Sequence, residues 1–255
     1  MLLENQVALV TGSSRGIGAA IAKKFAAEGA VVIINYLHNQ QRADELVDTI
    51  ATADGQAVAL QADVRDAEAV GRMITTIQEN LGTLNIVVNN ALNHYQFDPK
   101  KRATNWQTDW SAYQNQIDGS VKGSFNVCQA ALPLLQQQPG GRIINLVSNL
   151  IESPIVPYHD YITAKTALLG YTRTLASEVG AFGVQVNAIA PGLTYPTDSS
   201  VTTKNDVRER IIEQTPTGRL TIPEDIAGSA VFLASDLSAN MTGQCLYVDG
   251  GLVMH

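Results

Sequence analysis

Tyr161 and Lys165 stand four residues apart in Tyr161-Ile162-Thr163-Ala164-Lys165, a spacing that puts both on one face of a helix. A free tyrosine, with a pKa of about 10, is a poor base at neutral pH. An ammonium beside it and a second cation close by favour the phenolate, so the phenol can exchange a proton near neutrality. Lowering the pKa by about three units asks for roughly 4 kcal/mol of differential stabilisation, which two nearby cations at a dry site can supply. Ser148 lies upstream at the end of an apolar run, where its hydroxyl can donate to an oxygen on which charge develops. The same residues have a bland reading in which Tyr161 packs, Lys165 is a solvated helix charge and Ser148 caps a turn. For the Tyr–Lys pair alone the bland reading prevails, because that pattern is common by chance.

A second cluster, near the start of the chain, changes the balance. The first apolar run leads into Thr11-Gly12-Ser13-Ser14-Arg15-Gly16-Ile17-Gly18, and a helical pattern follows. Glycines at 12, 16 and 18 let the backbone turn tightly and approach a pyrophosphate, while the helix amino end presents free N–H groups and a partial positive charge to it. A glycine triplet by itself reads equally as a tight turn packed against a helix. Its position between the first strand and the first helix is the context that favours a nucleotide.

The elements that must carry these residues follow from the apolar pattern. VALV (7–10), VVII (31–34), AVAL (57–60), NIVV (85–88), RIINLV (142–147), VQVNAI (184–189) and CLYV (245–248) are continuous apolar runs, the signature of strands covered on both faces. Helical stretches separate them: 17–28, 40–53, 67–80, 110–138, 158–180 and 223–235. This alternation predicts an α/β fold, a doubly wound parallel sheet of about seven strands with right-handed crossovers. There is no linker, repeat or low-complexity segment, so residues 1–255 form one domain. Segments 93–109 and 193–217 break the alternation. Both follow strands at the carboxyl edge of the sheet, where open α/β sheets bind ligands, and they are the expected substrate loops and lid.

Bulk properties exclude several classes of function. The 255 residues are 45% hydrophobic, enough for a sizeable core. A formal net charge of -7 gives no electrostatic reason to bind nucleic acid or an anionic membrane. The first residues lack a signal-peptide pattern and no apolar run is long enough to span a bilayer, so a soluble, cytoplasmic protein is expected. Cys128 and Cys245 are far apart and read as small buried hydrophobes. His38, His94 and His255 have no partners at metal-ligand spacing, so no metal is expected.

Taken in order, these motifs resemble the short-chain dehydrogenase/reductase family, in a form similar to the 3-oxoacyl-(acyl carrier protein) reductases. The resemblance covers the whole chain: TGSSRGIG at 11–18, Asp63-Val64, Asn89-Asn90-Ala91, Ser148, Tyr161 to Lys165, Asn187-Ala188-Ile189-Ala190-Pro191-Gly192 and Val248-Asp249-Gly250-Gly251. It implies a nicotinamide cofactor and hydride transfer between a carbonyl and an alcohol. Gly12, Ser14, Arg15, Gly16, Ile17 and Gly18 would cradle the pyrophosphate. Asp63 and Val64 would hold the adenine, and Asn90 and Ala91 would flank the adenosine ribose. Pro191 and Gly192 would border the nicotinamide, and Lys165 would also bond its ribose. Tyr158 and His159 are weaker candidates for the pocket edge, and Trp106 and Trp110 either close the site or pack the long helix.

Three positions depart from the family pattern. Leu92 stands where a glycine usually follows Asn-Asn-Ala, which must re-route the loop. The asparagine that holds a relay water in the long fourth helix corresponds to Ser120, whose shorter hydroxyl implies a slower or rewired relay. The threonine expected after Pro-Gly, a contact for the carboxamide, corresponds to Thr194 or Thr197.

The cofactor is expected to be NADP(H). An NAD-preferring site ends the second strand with an acidic residue that accepts the ribose 2′-OH, whereas this stretch reads Asn35-Tyr36-Leu37-His38-Asn39. Arg15 can reach a 2′-phosphate, as in similar NADP-preferring relatives. The expected substrate is a small carbonyl or alcohol compound. The stretches 132–139 and 175–179 are neutral or acidic and would not hold an acidic carrier protein, although Lys100, Lys101 and Arg102 form one basic cluster. Carrier-linked reduction and a non-catalytic NADP-binding sensor are the alternatives. The apolar surplus on the 110–138 and 158–180 helices, together with the resemblance, implies a homotetramer.

Overall fold

The computed structural model describes residues 1–93, 95, 97–98, 102–138 and 140–254. Seven strands, β1 (Val7–Val10), β2 (Val31–Tyr36), β3 (Gln56–Gln61), β4 (Ile86–Asn89), β5 (Arg142–Leu146), β6 (Gln185–Pro191) and β7 (Cys245–Val248), form one sheet. They are all parallel, in the order β3-β2-β1-β4-β5-β6-β7. The order reverses between β1 and β4, which opens a crevice at their carboxyl ends.

Among the described residues eight α-helices connect and cover the strands: α1 (Gly16–Ala27), α2 (Gln40–Thr52), α3 (Ala67–Leu81), α4 (Trp110–Ile117), α5 (Gly123–Leu135), α6 (His159–Val179), α7 (Asn205–Gln214) and α8 (Pro223–Ala234). Successive strand residues face opposite layers. Ala8, Val10, Ile86 and Val88 pack with Ile21, Phe25 and Ile226 of α1 and α8. Val7, Leu9 and Val87 pack with Ile77, Val127 and Leu175 of α3, α5 and α6. Both faces of the central strands are dry, and this is why they read as unbroken apolar runs, whereas the edge strand β3 alternates exposed and half-buried residues.

Two stretches differ from expectation. The single helix over 110–138 is interrupted by a wide π-type turn, Asp118–Lys122, and α5 stops at Leu135. A side chain at Gly119 would lie 2.7 Å from Asn93 Cβ, so the glycine lets the loop after β4 press against the helix backbone at the break. The segment 193–217 is not wholly a loop, since it contains α7. That helix is mostly polar, with its apolar Val207 and Ile211 one turn apart, and its short length hid it. Cys128 is buried and Cys245 half-buried, and both are free thiols. Among the described residues, no helix is long and apolar enough to cross a membrane and no cluster of three or more His, Cys, Asp or Glu could hold a metal. His94, Lys100, Lys101, Pro139 and His255 lie outside the described residues.

A buried polar relay ties the sheet centre to α6. Asn89 donates to Asn145 Oδ1 (2.8 Å), Asn145 donates to Thr172 Oγ1 (2.9 Å), and Thr172 donates to the Leu168 carbonyl (2.8 Å). These groups are buried, and loss of the central member strands two partners, the Asn89 amide donor and the Thr172 hydroxyl. Asn145→Ala is expected to lower unfolding free energy by about 2–4 kcal/mol in urea titrations. A loss below about 0.5 kcal/mol, the scale of a neutral surface change, would show that the relay is not a structural tie.

Candidate active site

The crevice between β1 and β4 continues along the carboxyl edge of the sheet as a cavity of about 660 Å³. Its floor is the glycine turn. Gly12 has a φ of +59°, and a Cβ there would meet Ala91 Cα at 2.9 Å, so only glycine fits. Gly12 N–H donates to Asn35 Oδ1 (3.1 Å), and Asn35 Nδ2 donates to the Ala62 carbonyl (3.1 Å). Asn35 opens the stretch 35–39 on which the expectation of NADP(H) rests. Its amide faces inward and braces the turn, although the residue also borders the cavity.

Gly16 opens α1, which has no side-chain cap, so first-turn N–H groups are left for a ligand. A Cβ at Gly16 would meet nothing nearer than Thr197 at 3.8 Å. Ser14, Arg15 and Ile17 complete this wall. Gly18 departs from expectation, for it does not border the cavity. A Cβ there would lie 2.5 Å from Asn90 Nδ2 and 2.8 Å from Ser13 Cα, so Gly18 is a packing glycine beneath the turn.

Tyr36, Asp63 and Val64 line the cavity beyond β2 and β3, while Asn90 and Ala91, which follow β4, line it beside the glycine turn. Arg65 donates to both carboxylate oxygens of Asp63 (2.7 and 3.0 Å), and this guanidinium holds the Asp63 carboxyl below its ordinary range. Arg15 lies at the same end. Its guanidinium donates to Asp198 Oδ2 (3.0 Å), a carboxylate brought in from the segment after β6. The absence of acid from 35–39 therefore does not leave this corner free of carboxylate. Pro191, Gly192 and Thr194 line the cavity beyond β6, whereas Thr197 sits on the Arg15 side, beside Asp198 and over Gly16. Thr194 donates to the Gly192 carbonyl (3.1 Å).

Ser148, Tyr161 and Lys165 meet beyond Gly192. Ser148 follows β5 and accepts from Leu150 N–H (3.3 Å). Lys165 is 3% exposed, with Nζ donating to the Leu146 carbonyl (2.7 Å) and lying 5.9 Å from the Tyr161 ring centre. Burial pushes the Tyr161 phenol up to about 12, against a smaller downward effect of its hydrogen bond with Ser148. Burial also pushes Lys165 down to about 8. The expected phenolate is thus not a property of the chain alone, because burial disfavours both charged forms.

Ser120 does not border the cavity, whereas its neighbour Gly119 does. Its hydroxyl is buried in the π-type turn with no hydrogen-bond partner among the described residues. Leu92 lines the cavity, as does Tyr158, while Trp106 and Trp110 do neither task suggested for them. They are exposed, and Trp110 stacks on Tyr113 with ring centres 5.6 Å apart.

Two aromatic residues were not foreseen. The rings of Tyr95 and Phe97 each lie 5.1 Å from the Tyr161 ring, and Phe97 meets Tyr158 edge-on at 5.5 Å. Tyr95 Oη donates to Asp160 Oδ1 (3.1 Å). Their alternate spacing in the segment after Asn90-Ala91 was the available signal. Phe97 N–H also donates to the Ser199 carbonyl (3.4 Å), so the two segments that broke the strand–helix alternation meet over the cavity.

Fold and crevice together define a Rossmann-type oxidoreductase. The family model described as enoyl-(acyl carrier protein) reductase matches residues 12–253. A Synechocystis protein named 3-oxoacyl-[acyl-carrier-protein] reductase is 38% identical over 99% of this chain and 98% of its own. Glucose 1-dehydrogenase 2 of Bacillus subtilis is 35% identical over 99% and 96%. A crystal structure of a dehydrogenase/reductase from Sinorhizobium meliloti 1021 matches with a TM-score of 0.90 and 38% identity, over 99% of this chain and 96% of that one. The chain belongs to the short-chain dehydrogenase/reductase family, in its 3-oxoacyl-(acyl carrier protein) reductase-like form.

The buried lysine makes stability depend on pH. Below pH 8 Lys165 is charged in both states, and the fold bears the cost of burying that charge. As pH rises from 8 towards the ordinary value of 10.5, the native chain sheds a proton that the unfolded chain keeps, so stability increases. The gain approaches about 3 kcal/mol. Above pH 10 Tyr161 opposes it, because its raised pKa makes the native state the more protonated one. Unfolding free energies of wild type and Lys165→Met are expected to shift in favour of wild type between pH 8 and 10. A constant difference across that window would refute the depressed lysine.

Proposed function

We propose that the chain is an NADP(H)-dependent ketoreductase for small carbonyl or alcohol substrates, with Tyr161 as the proton donor and acceptor. The observation that carries this reading is the convergence of Ser148, Tyr161 and Lys165 on one wall of the cavity that begins at the glycine turn. The cavity fits a dinucleotide: close-approach glycine at 12, uncapped first-turn N–H groups from Gly16 and the Arg15 guanidinium at the β2 end. Gly12, Ser14 to Ile17, Asp63, Val64, Asn90, Ala91 and Pro191 to Thr194 would hold it. When bound, the cofactor supplies or accepts the hydride and contributes a positive charge when oxidised. Ser148 and Tyr161 hold the substrate oxygen, and Tyr161 donates to it on reduction. Lys165 tempers the phenol, while the buried Ser120 hydroxyl supports proton return to the lysine.

The substrate end is walled by Tyr95, Phe97, Tyr158, Leu150, Ile155 and Val207. Such a lining favours a small, uncharged, apolar carbonyl compound. The names of several relatives favour the second reading, reduction of a 3-oxoacyl group on a carrier protein. Steady-state rates decide between them: a diketone or β-keto ester is expected to outperform acetoacetyl carrier protein. Clear preference for the carrier-bound substrate, weakened by salt, would overturn the first reading. In either case Tyr161→Phe is expected to remove nearly all turnover and leave NADPH binding close to wild type. More than a tenth of the activity retained would remove Tyr161 from the proposed role.

Phe125 on α5 remains 43% exposed, with its ring 6.4 Å from that of Tyr171 on α6. This apolar face supports a homotetramer in which α5 and α6 pair between subunits. Light scattering is expected to give four chains at micromolar concentration, and a monomer there would count against it.

A further inference from the structure

Asp198 joins three parts of the chain at the mouth of the cavity. Its Oδ2 accepts from Arg15 Nη1 (3.0 Å) in the glycine turn and from Arg42 Nη1 (2.7 Å) on α2. All three side chains are about half exposed, so water screens the pairs and they add little to the stability of the fold. Their arrangement is nevertheless well determined. Arg42 N–H donates to Asn39 Oδ1 (3.0 Å), which caps α2. Because α2 starts just beyond β2, this fixes the base of the arginine near the strand end where a ribose hydroxyl is read in such sheets. Thr197, beside Asp198, lies over Gly16 at 3.8 Å from its Cβ direction.

We propose that Arg42 acts with Arg15 as a two-guanidinium fork for the cofactor 2′-phosphate, and that Asp198 is a built-in anion that this phosphate displaces. The inference rests on the NADP(H) reading above and adds two specificity-determining residues to it. Two guanidiniums that share one carboxylate keep an excess of one positive charge. A phosphate monoester, near two negative charges at neutral pH, matches both and offers three acceptor oxygens to planar donor forks. Carboxylate and phosphate contesting the same donors repel, so the phosphate takes the fork and Asp198 withdraws. Asp198 then acts as a threshold: an adenosine without the 2′-phosphate has nothing with which to displace it.

The test is calorimetric titration of wild type, Arg42→Ala and Asp198→Asn with NADPH, NADH and 2′,5′-ADP. The last probe carries the 2′-phosphate without the nicotinamide. Arg42→Ala is expected to weaken NADPH and 2′,5′-ADP about tenfold, the scale of one charge-assisted contact, with NADH within about twofold. Asp198→Asn is expected to tighten NADPH and 2′,5′-ADP by about three- to tenfold, again without moving NADH. If Asp198→Asn weakens or leaves unchanged the 2′-phosphorylated ligands, or if Arg42→Ala leaves the NADPH-to-NADH ratio as it was, the fork is wrong while the cofactor reading stands. A wild-type preference for NADH would overturn the cofactor reading and the fork with it.

Discussion

At the carboxyl ends of β1 and β4 two loops leave towards opposite faces of the sheet, and a small set of hydrogen bonds keeps them together. Asn90 Nδ2 donates to the Thr11 carbonyl (2.8 Å) and the Gly12 carbonyl (3.1 Å). Thr11 Oγ1 in turn accepts from the Asn90 and Ala91 N–H groups (both 3.0 Å). Without this stitch the backbone polar groups at the strand ends would have to find water, and the crevice would lose its fixed width. The contact leaves no room for a Cβ on Gly12 or Gly18. Asn35 holds the turn from the β2 side, so one constraint explains three residue types spread over eighty positions. The glycine turn, the wall formed by Asn90 and Ala91 and the loop towards Tyr95 all start from it.

The far end of the cavity shows the opposite compromise. Tyr161 and Lys165 are buried deeply enough that each is pushed towards its neutral form, the phenol up and the amine down. A group so placed is a poor proton exchanger by itself but responds strongly to one added charge, since the same low dielectric magnifies any partner. Packing of Tyr95 and Phe97 against Tyr161 keeps water away from the phenol and strengthens that response. Burial therefore makes the pair conditional, which suits chemistry that should proceed only with the site filled.

How much of this was legible in the sequence depended on the range of the interactions. Continuous apolar runs gave each strand to within a residue or two, because two-sided burial is written locally in VALV or RIINL. The convergence of Ser148, Tyr161 and Lys165 was legible because i,i+4 spacing and a strand end are also local. The break at Gly119 was not, because its cause is the approach of Asn93 from another segment. Gly18 had the right spacing for a phosphate contact but is held by Asn90, and Asn35 had the right position but turns its amide inward. Helix α7 was missed because its apolar residues are only Val207, Ile211 and Ile212 in a short polar stretch, and Trp106 and Trp110 drew attention by size rather than environment.

Asp198 is the clearest case of information that no local reading contains. Residues 35–39, at the end of β2 and just beyond it, carry no carboxylate, and the expectation of a site open to phosphate rested on them. The chain supplies the carboxylate from 156 residues away, measured from Arg42, on the segment that also carries Thr197 over the glycine turn and Ser199 against Phe97. That segment touches both ends of the cavity, the guanidinium corner through Asp198 and the aromatic wall through Ser199. Asp198 and Ser199 are neighbours in the chain, so the guanidinium corner and the aromatic wall are both tied to one short stretch of backbone.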